Sequence, residues 1–131
     1  MNDVTQIIKT IDQVLEPVEP IEYAFLFGSI LRQLLPQSDI DILIGDQITF
    51  DQRLLLTATL SRNLHRNVDL VSVSEASSEL VLKALSRGIP VFIRNRETLK
   101  RDYMTAFRDN DNNSGLRQIK FSRIRKQYAH G

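Results

Sequence analysis

The sequence predicts an α/β (α+β) domain, a small mixed β-sheet with helices packed against it. Three observations carry that expectation. Apolar runs of strand length alternate with segments of helical periodicity along the 131 residues, the pattern of a sheet covered by helices. Two apolar runs, Tyr23–Phe27 and the one reaching Ile44, enclose a Gly28-Ser29 turn and an Asp39-Ile40-Asp41 triplet. No GxGxxG fingerprint and no P-loop occurs, which sets the dinucleotide-binding and Walker-type phosphate sites aside.

The elements follow in order. Residues 2–16 read as an amphipathic helix with Ile7, Ile8, Ile11, Val14 and Leu15 on one face, Asn2 or Asp3 as cap, and Pro17 and Pro20 beyond its end. Residues 21–27 form the first strand. Ser29–Leu35 reads as a short helix stopped by Pro36, and Asp39–Ile44 as the second strand, closed by Gly45 with Asp46 in the turn. Residues 50–64 are helical, with Leu54, Leu55, Leu56, Ala58 and Leu60 giving a wide apolar face; His65 follows as a capping or surface group. Val68–Val73 is the third strand. Ser74–Ser78 is a polar turn, residues 78–87 a helix turning Leu80, Val81, Ala84 and Leu85 inward, and Gly88 its stop. Ile89–Ile93 is a fourth strand whose Pro90 suits a sheet edge. Residues 96–108 form a last helix, and the run Asp109–Gly115 reads as a linker. Residues 1–95 are thus the core, and residues 96–131 a terminal helix and tail of the same domain.

The chemistry lies in the spacing between residues 28 and 41. Side chains on a strand alternate faces, so Asp39 and Asp41 project together while Ile40, Ile42 and Ile44 take the other side. Two carboxylates that close raise each other's pKa unless a cation sits between them. A hard cation such as Mg²⁺ suits an all-oxygen site and shares its shell with waters and nucleotide phosphates. Gly28 lets backbone approach a phosphate closely, a helix starting there would aim N–H groups at it, and Ser29 adds a hydroxyl. Ser38 either orients the carboxylates or is a plain turn residue. Arg32 either reaches a phosphate or is a surface arginine. Asp69 stands inside an apolar strand, where a charge needs water at a sheet edge or a purpose as a third carboxylate.

Bulk properties narrow the rest. The composition, 42% hydrophobic and 25% charged, is that of an ordinary globular protein. There is no cysteine, hence no thiolate metal site, which is compatible with a reducing cytoplasm. No apolar run approaches a membrane span, and the start MNDVTQIIKTIDQ lacks the pattern of a secretory signal. Residues 1–111 hold all 16 acidic residues and 12 of the 17 basic ones, so the last twenty residues are purely basic. Such a tail either binds nucleic acid or an acidic partner face, or is simply solvated.

The stretch FGSILRQLLPQSDIDILI resembles the signature of the DNA polymerase β-type nucleotidyltransferase superfamily. More narrowly it resembles the minimal nucleotidyltransferases that act as antitoxins beside HEPN toxins. The usual gap between GS and D-x-D is ten residues and here it is nine; Gln33 follows Arg32 where a glycine is common. The resemblance continues to about residue 94 through NVDLVSVSEASSELVLKALSRGIPVF. It implies the nucleotidyltransferase fold. It implies Asp39, Asp41 and Asp69 as catalytic, Mg²⁺-binding carboxylates, and Gly28 and Ser29, with Ser38 and Arg32, on the nucleotide side. It implies transfer of AMP from ATP to a tyrosine of a partner HEPN ribonuclease, silencing it, with release of pyrophosphate.

Two other readings stay open. One is a non-catalytic antitoxin that neutralises its toxin by covering it. The other is a nucleotidyltransferase acting on RNA or a small molecule, which the basic tail slightly favours. A neighbouring reading frame for a small helical protein with an R-x4–6-H motif would discriminate them. Arg125 and His130 mimic that motif within the tail, but some twenty residues cannot build the packed helices it needs.

Overall fold

In the computed structural model, residues 3–35 and 37–120 are described, with side chains to residue 111. Arg125 and His130 lie outside the described residues. Four strands form one mixed sheet in the order β3-β2-β1-β4. They are β1 (Ile21–Phe27), β2 (Ile40–Asp46), β3 (Val68–Ser72) and β4 (Ile89–Ile93). β1 runs antiparallel to β2 and β4, and β3 runs parallel to β2. A parallel pair needs a long crossover, and helix α2 (Phe50–Leu64) supplies it.

Helices cover both faces of the sheet. α1 (Val4–Leu15) and α2 pack on one face, and α3 (Ser78–Arg87) and α4 (Arg96–Lys120) on the other. The strand alternation read from the sequence sets this up. Ile40, Ile42 and Ile44 enter the α1/α2 core, while Leu43 enters the α3/α4 core with Phe27, Val81, Ala84 and Ala106. α1 buries Ile7, Ile11 and Leu15 at four-residue spacing. Each such side chain contributes about 1.5–3 kcal/mol on leaving water.

The helix starts are capped as their sequences require. Asp3 accepts from the Gln6 N–H at 2.9 Å, Thr49 and Gln52 form a reciprocal capping box, and Ser77 accepts from the Leu80 N–H at 3.1 Å. His65 closes α2 in the left-handed region at φ 54° and is exposed.

Several expectations are corrected. β2 begins at Ile40 and continues through Gly45 to Asp46, because β1 pairs along its length. Asp46 still shapes the following turn: its carboxylate accepts from the Ile48 N–H at 3.1 Å and from the Ser72 hydroxyl at 2.5 Å. α2 turns only Leu56, Leu60 and Leu64 toward the sheet and leaves Leu54 and Leu55 outside, since one helix offers the sheet a single stripe. Gly88 ends α3 in extended backbone, not in a left-handed turn; it is small because a Cβ there would overlap the Ala84 and Leu26 carbonyl oxygens.

The segment 109–115 is helical, as part of α4. It contains no proline, and Asn, Asp and Ser each cost only a few tenths of a kcal/mol in a helix already nucleated, with about 1 for Gly115. The Asn95 side-chain Oδ1 accepts from the Thr98 N–H at 3.1 Å at the start of α4. Tyr23, wholly buried, donates to Asp102 of α4 at 2.9 Å and so ties that helix to β1. Burial, then the Asp102 charge, pushes its phenol well above the usual range. The ring fits because residue 45 is glycine; a Cβ there would overlap it.

Candidate active site

The Gly28 turn, Asp41 and Asp69 meet at one end of the sheet through strand register. Phe27 pairs with Asp41 across the antiparallel β1–β2 ladder, and Asp41 pairs with Asp69 across the parallel β2–β3 ladder. The last residue of β1 and the two aspartates therefore lie in one row. Asp39 sits one residue ahead of β2, exposed, not inside the strand as its alternation suggested. β3 is an edge strand, so Asp69 is both exposed to water and directly opposite Asp41. The two roles weighed for it turn out to be compatible.

Electrostatics register the cluster. Burial raises the Asp41 carboxyl above its ordinary value, and the Asp69 and then the Asp39 charges raise it further. Asp41 is half-buried at the centre of the row.

Gly28 adopts φ 98° and ψ −168°, a conformation that essentially only glycine occupies. A Cβ on it would overlap Oδ2 of Asp41. Both constraints act together: the missing side chain lets the chain turn and lets a carboxylate rest against the turn's backbone. Ser29 follows, exposed, as the first residue of a short 3₁₀ turn, Ser29–Leu31. The expected helix to Leu35 does not form. Leu35 precedes a proline, which disfavours the helical region. Its N–H donates to Ser38 Oγ at 2.9 Å and its carbonyl accepts from Arg66 at 2.7 Å, so neither group is left for a helix. Three residues sum no useful helix dipole. The case for phosphate binding therefore rests on the Gly28 backbone and the Ser29 hydroxyl.

Ser38 belongs to this loop. Its hydroxyl accepts from Leu35 and donates to the Gln33 carbonyl at 3.3 Å, so it braces the backbone and leaves the carboxylates alone. Arg32 ends the 3₁₀ turn and is exposed. Sequence reasoning missed Arg66. Its guanidinium donates to the carbonyls of both Leu35 and Ser38, the latter at 3.2 Å, and holds the loop that delivers Asp39. No local signal marks a contact across 31 residues. The Asn67 carbonyl adds to the brace by accepting from the Ile40 N–H at 2.9 Å.

The donor set fits a hard divalent cation: three carboxylates in an oxygen-only setting with mutual repulsion to relieve. Among the described residues no three such side chains are drawn together closely enough to hold a metal ion by themselves. An open arrangement that waters and phosphate oxygens complete is what Mg²⁺ prefers. A larger cavity, about 490 Å³, lies at the Asp46 end of β2. Three of its carboxylates already have partners, Glu22 with Asn95, Asp46 with Ser72 and Asp102 with Tyr23, and it has no glycine turn. The aspartate row is therefore the candidate site.

Comparison with known proteins agrees with this geometry. The profile of a family described as Polymerase beta, Nucleotidyltransferase matches residues 9–97. No curated protein matches the chain. Among solved structures, a toxin–antitoxin complex with AMP-PNP contains a chain with TM-score 0.73 and 21% identity, over 89% of this chain and 97% of that one. The MntA-HepT toxin–antitoxin has a chain with TM-score 0.70 and 20% identity, covering 92% and 97%. A tri-AMPylated HEPN toxin from Shewanella oneidensis in complex with MNT antitoxin aligns with TM-score 0.69 and 20% identity, covering 92% and 97%. At these identities the likeness is one of fold. Among the described residues no helix is long and apolar enough to cross a membrane.

Proposed function

Because the chain belongs to the polymerase beta nucleotidyltransferase family, we propose that it is the antitoxin of a HEPN-type pair and transfers AMP from ATP to a tyrosine hydroxyl of its ribonuclease partner in the cytoplasm. The observation that carries the reading is the Gly28 turn lying against Asp41, which stands opposite Asp69. A phosphate turn and a carboxylate row in contact are what nucleotidyl transfer requires. The AMP-bearing toxin in complex with a similarly folded antitoxin supports a protein acceptor.

The residues divide the work. Gly28 and Ser29 hold the β- and γ-phosphates, and Arg32, exposed just beyond, closes on them. Asp39 and Asp41 would hold Mg²⁺, which when bound neutralises phosphate charge and favours in-line displacement. The acceptor oxygen attacks the α-phosphorus, the bond to the bridging β-phosphate oxygen breaks, and pyrophosphate leaves. The Asp69 carboxylate, exposed on the edge strand, either completes the metal set or takes the hydroxyl proton. Among the described residues no serine–histidine or cysteine nucleophile adjoins the row, so a covalent enzyme intermediate is not required.

Intact-mass spectrometry of the HEPN partner after incubation with this protein, ATP and Mg²⁺ tests the reading. A gain of one or more AMP units, absent with Asp39→Asn and Asp41→Asn, is expected. A tight complex with no mass change would instead make the protein a covering antitoxin.

A further inference from the structure

Helix α2 keeps an apolar surface that nothing in the described fold covers. Phe50, Leu54 and Leu55 are 60%, 52% and 70% exposed. Phe50 and Leu54, four residues apart, share one side of the helix. That side borders an open groove of about 370 Å³ between α2 and the edge strand β3, whose walls include Arg53, Asp69, Val71 and Glu75.

The groove is ordered at its base and open at its rim. Arg53 is held on both sides: its guanidinium lies 2.6 Å from the Glu75 carboxylate and 5.3 Å from the Phe50 ring centroid. Its side chain is only 12% exposed. Phe50 and Leu54 stand exposed together beside a preformed ion pair, a mixed apolar and charged surface of the kind protein partners cover. The groove also leads directly to the site. Asp69 is one of its walls and is the register partner of Asp41. A protein lying in the groove would pass beside Asp69, the edge-strand member of the aspartate row.

We infer that this α2–β3 groove is the docking surface for the protein that brings the acceptor hydroxyl, the HEPN-type partner. An apolar segment of that partner covers Phe50 and Leu54, and the acceptor side chain reaches past Asp69. The assignment rests on the transfer reading above for the identity of the occupant. A second copy of this chain is disfavoured, since it would obstruct the acceptor's route to Asp69. A second apolar pair, Met104 and Phe107 on α4 at 46% and 51% exposure, takes no part in the groove and serves as the comparison.

The test uses the full chain and the HEPN-type partner of the proposed pair. The variants are Phe50→Asp with Leu54→Asp, the milder Phe50→Ala with Leu54→Ala, and Met104→Asp with Phe107→Asp. Calorimetric titration reads partner affinity, a separate titration reads ATP affinity, and mass spectrometry reads transfer. Both groove variants are expected to weaken partner binding by about tenfold or more. They should leave ATP binding unchanged, and the α4 variant should bind the partner as wild type does. Wild-type partner affinity in both groove variants overturns the inference. So does a loss confined to the α4 variant, loss of ATP affinity together with partner binding, or a wild-type homodimer that the groove variants dissolve while still binding the partner. If the wild type binds its partner but transfers no AMP, the transfer reading fails, and the affinity arm still decides the surface.

Discussion

Replacing Gly28 by alanine tests the turn and the carboxylate row in one experiment. The native backbone, φ 98° and ψ −168°, costs any other residue about 1–3 kcal/mol. The new Cβ would overlap Asp41 Oδ2, so the strained turn cannot keep its place without displacing that carboxylate. For a chain of 131 residues the unfolding entropy is about 0.28 kcal/mol/K. The backbone cost alone therefore lowers Tm by roughly 4–11 °C. Gly45→Ala is the natural comparison. Its Cβ would overlap the Tyr23 ring, but Gly45 has no positive φ and lies four residues along β2 from Asp41, roughly 13 Å away. Scanning calorimetry should find both variants destabilised. AMP transfer to the HEPN partner, measured well below either Tm, should fall about a hundredfold in Gly28→Ala, the usual result of moving a catalytic group by an ångström, and little in Gly45→Ala. Wild-type transfer by Gly28→Ala, or an equal loss in Gly45→Ala, would refute the placement of Asp41 against the turn.

Asp41 makes the metal-free protein less stable as pH rises. Its folded carboxyl binds a proton more tightly than the unfolded one, so its contribution is favourable below about pH 3.8, falls as pH climbs through the raised folded value, and stays lost above it. Asp41→Asn should remove that dependence and, by relieving a cross-strand like-charge pair worth about 0.2–1 kcal/mol, raise the metal-free Tm at neutral pH by roughly 1–4 °C. The gain should sit at the low end because Asp69 faces solvent; an unchanged pH profile in calorimetry would contradict the cause assigned. Arg66→Ala removes the guanidinium from the Leu35 and Ser38 carbonyls and should speed amide exchange of the loop 35–38 and slow transfer, with Arg66→Lys restoring only part. Unaltered exchange there would show that the loop holds Asp39 without it.

Much of this protein is written in short-range pattern. The four strands and four helices are visible as runs and periodicities, because each signal spans only a few residues. So are the Asp3 cap and the edge position of the Pro90 strand. The candidate site is equally local at its centre: Gly28, Ser29, Asp39 and Asp41 fall within fourteen residues, and alternation alone aims Asp41 away from the isoleucine core.

What needed the folded chain is whatever depends on contacts between distant segments. That Asp69 stands opposite Asp41 is a fact of β2–β3 register, which the α2 crossover and packing on both faces select. That residues 29–35 make only a brief turn follows from Arg66 and Ser38 taking the Leu35 backbone groups away from a helix. Which stripe of α2 turns inward, and so leaves Phe50 and Leu54 beside Asp69, is set by the shape of the sheet beneath it. Alternation and helical period specify which side chains share a face within one element. They carry no information on which faces meet, because that choice is made by burial summed over segments far apart in the chain.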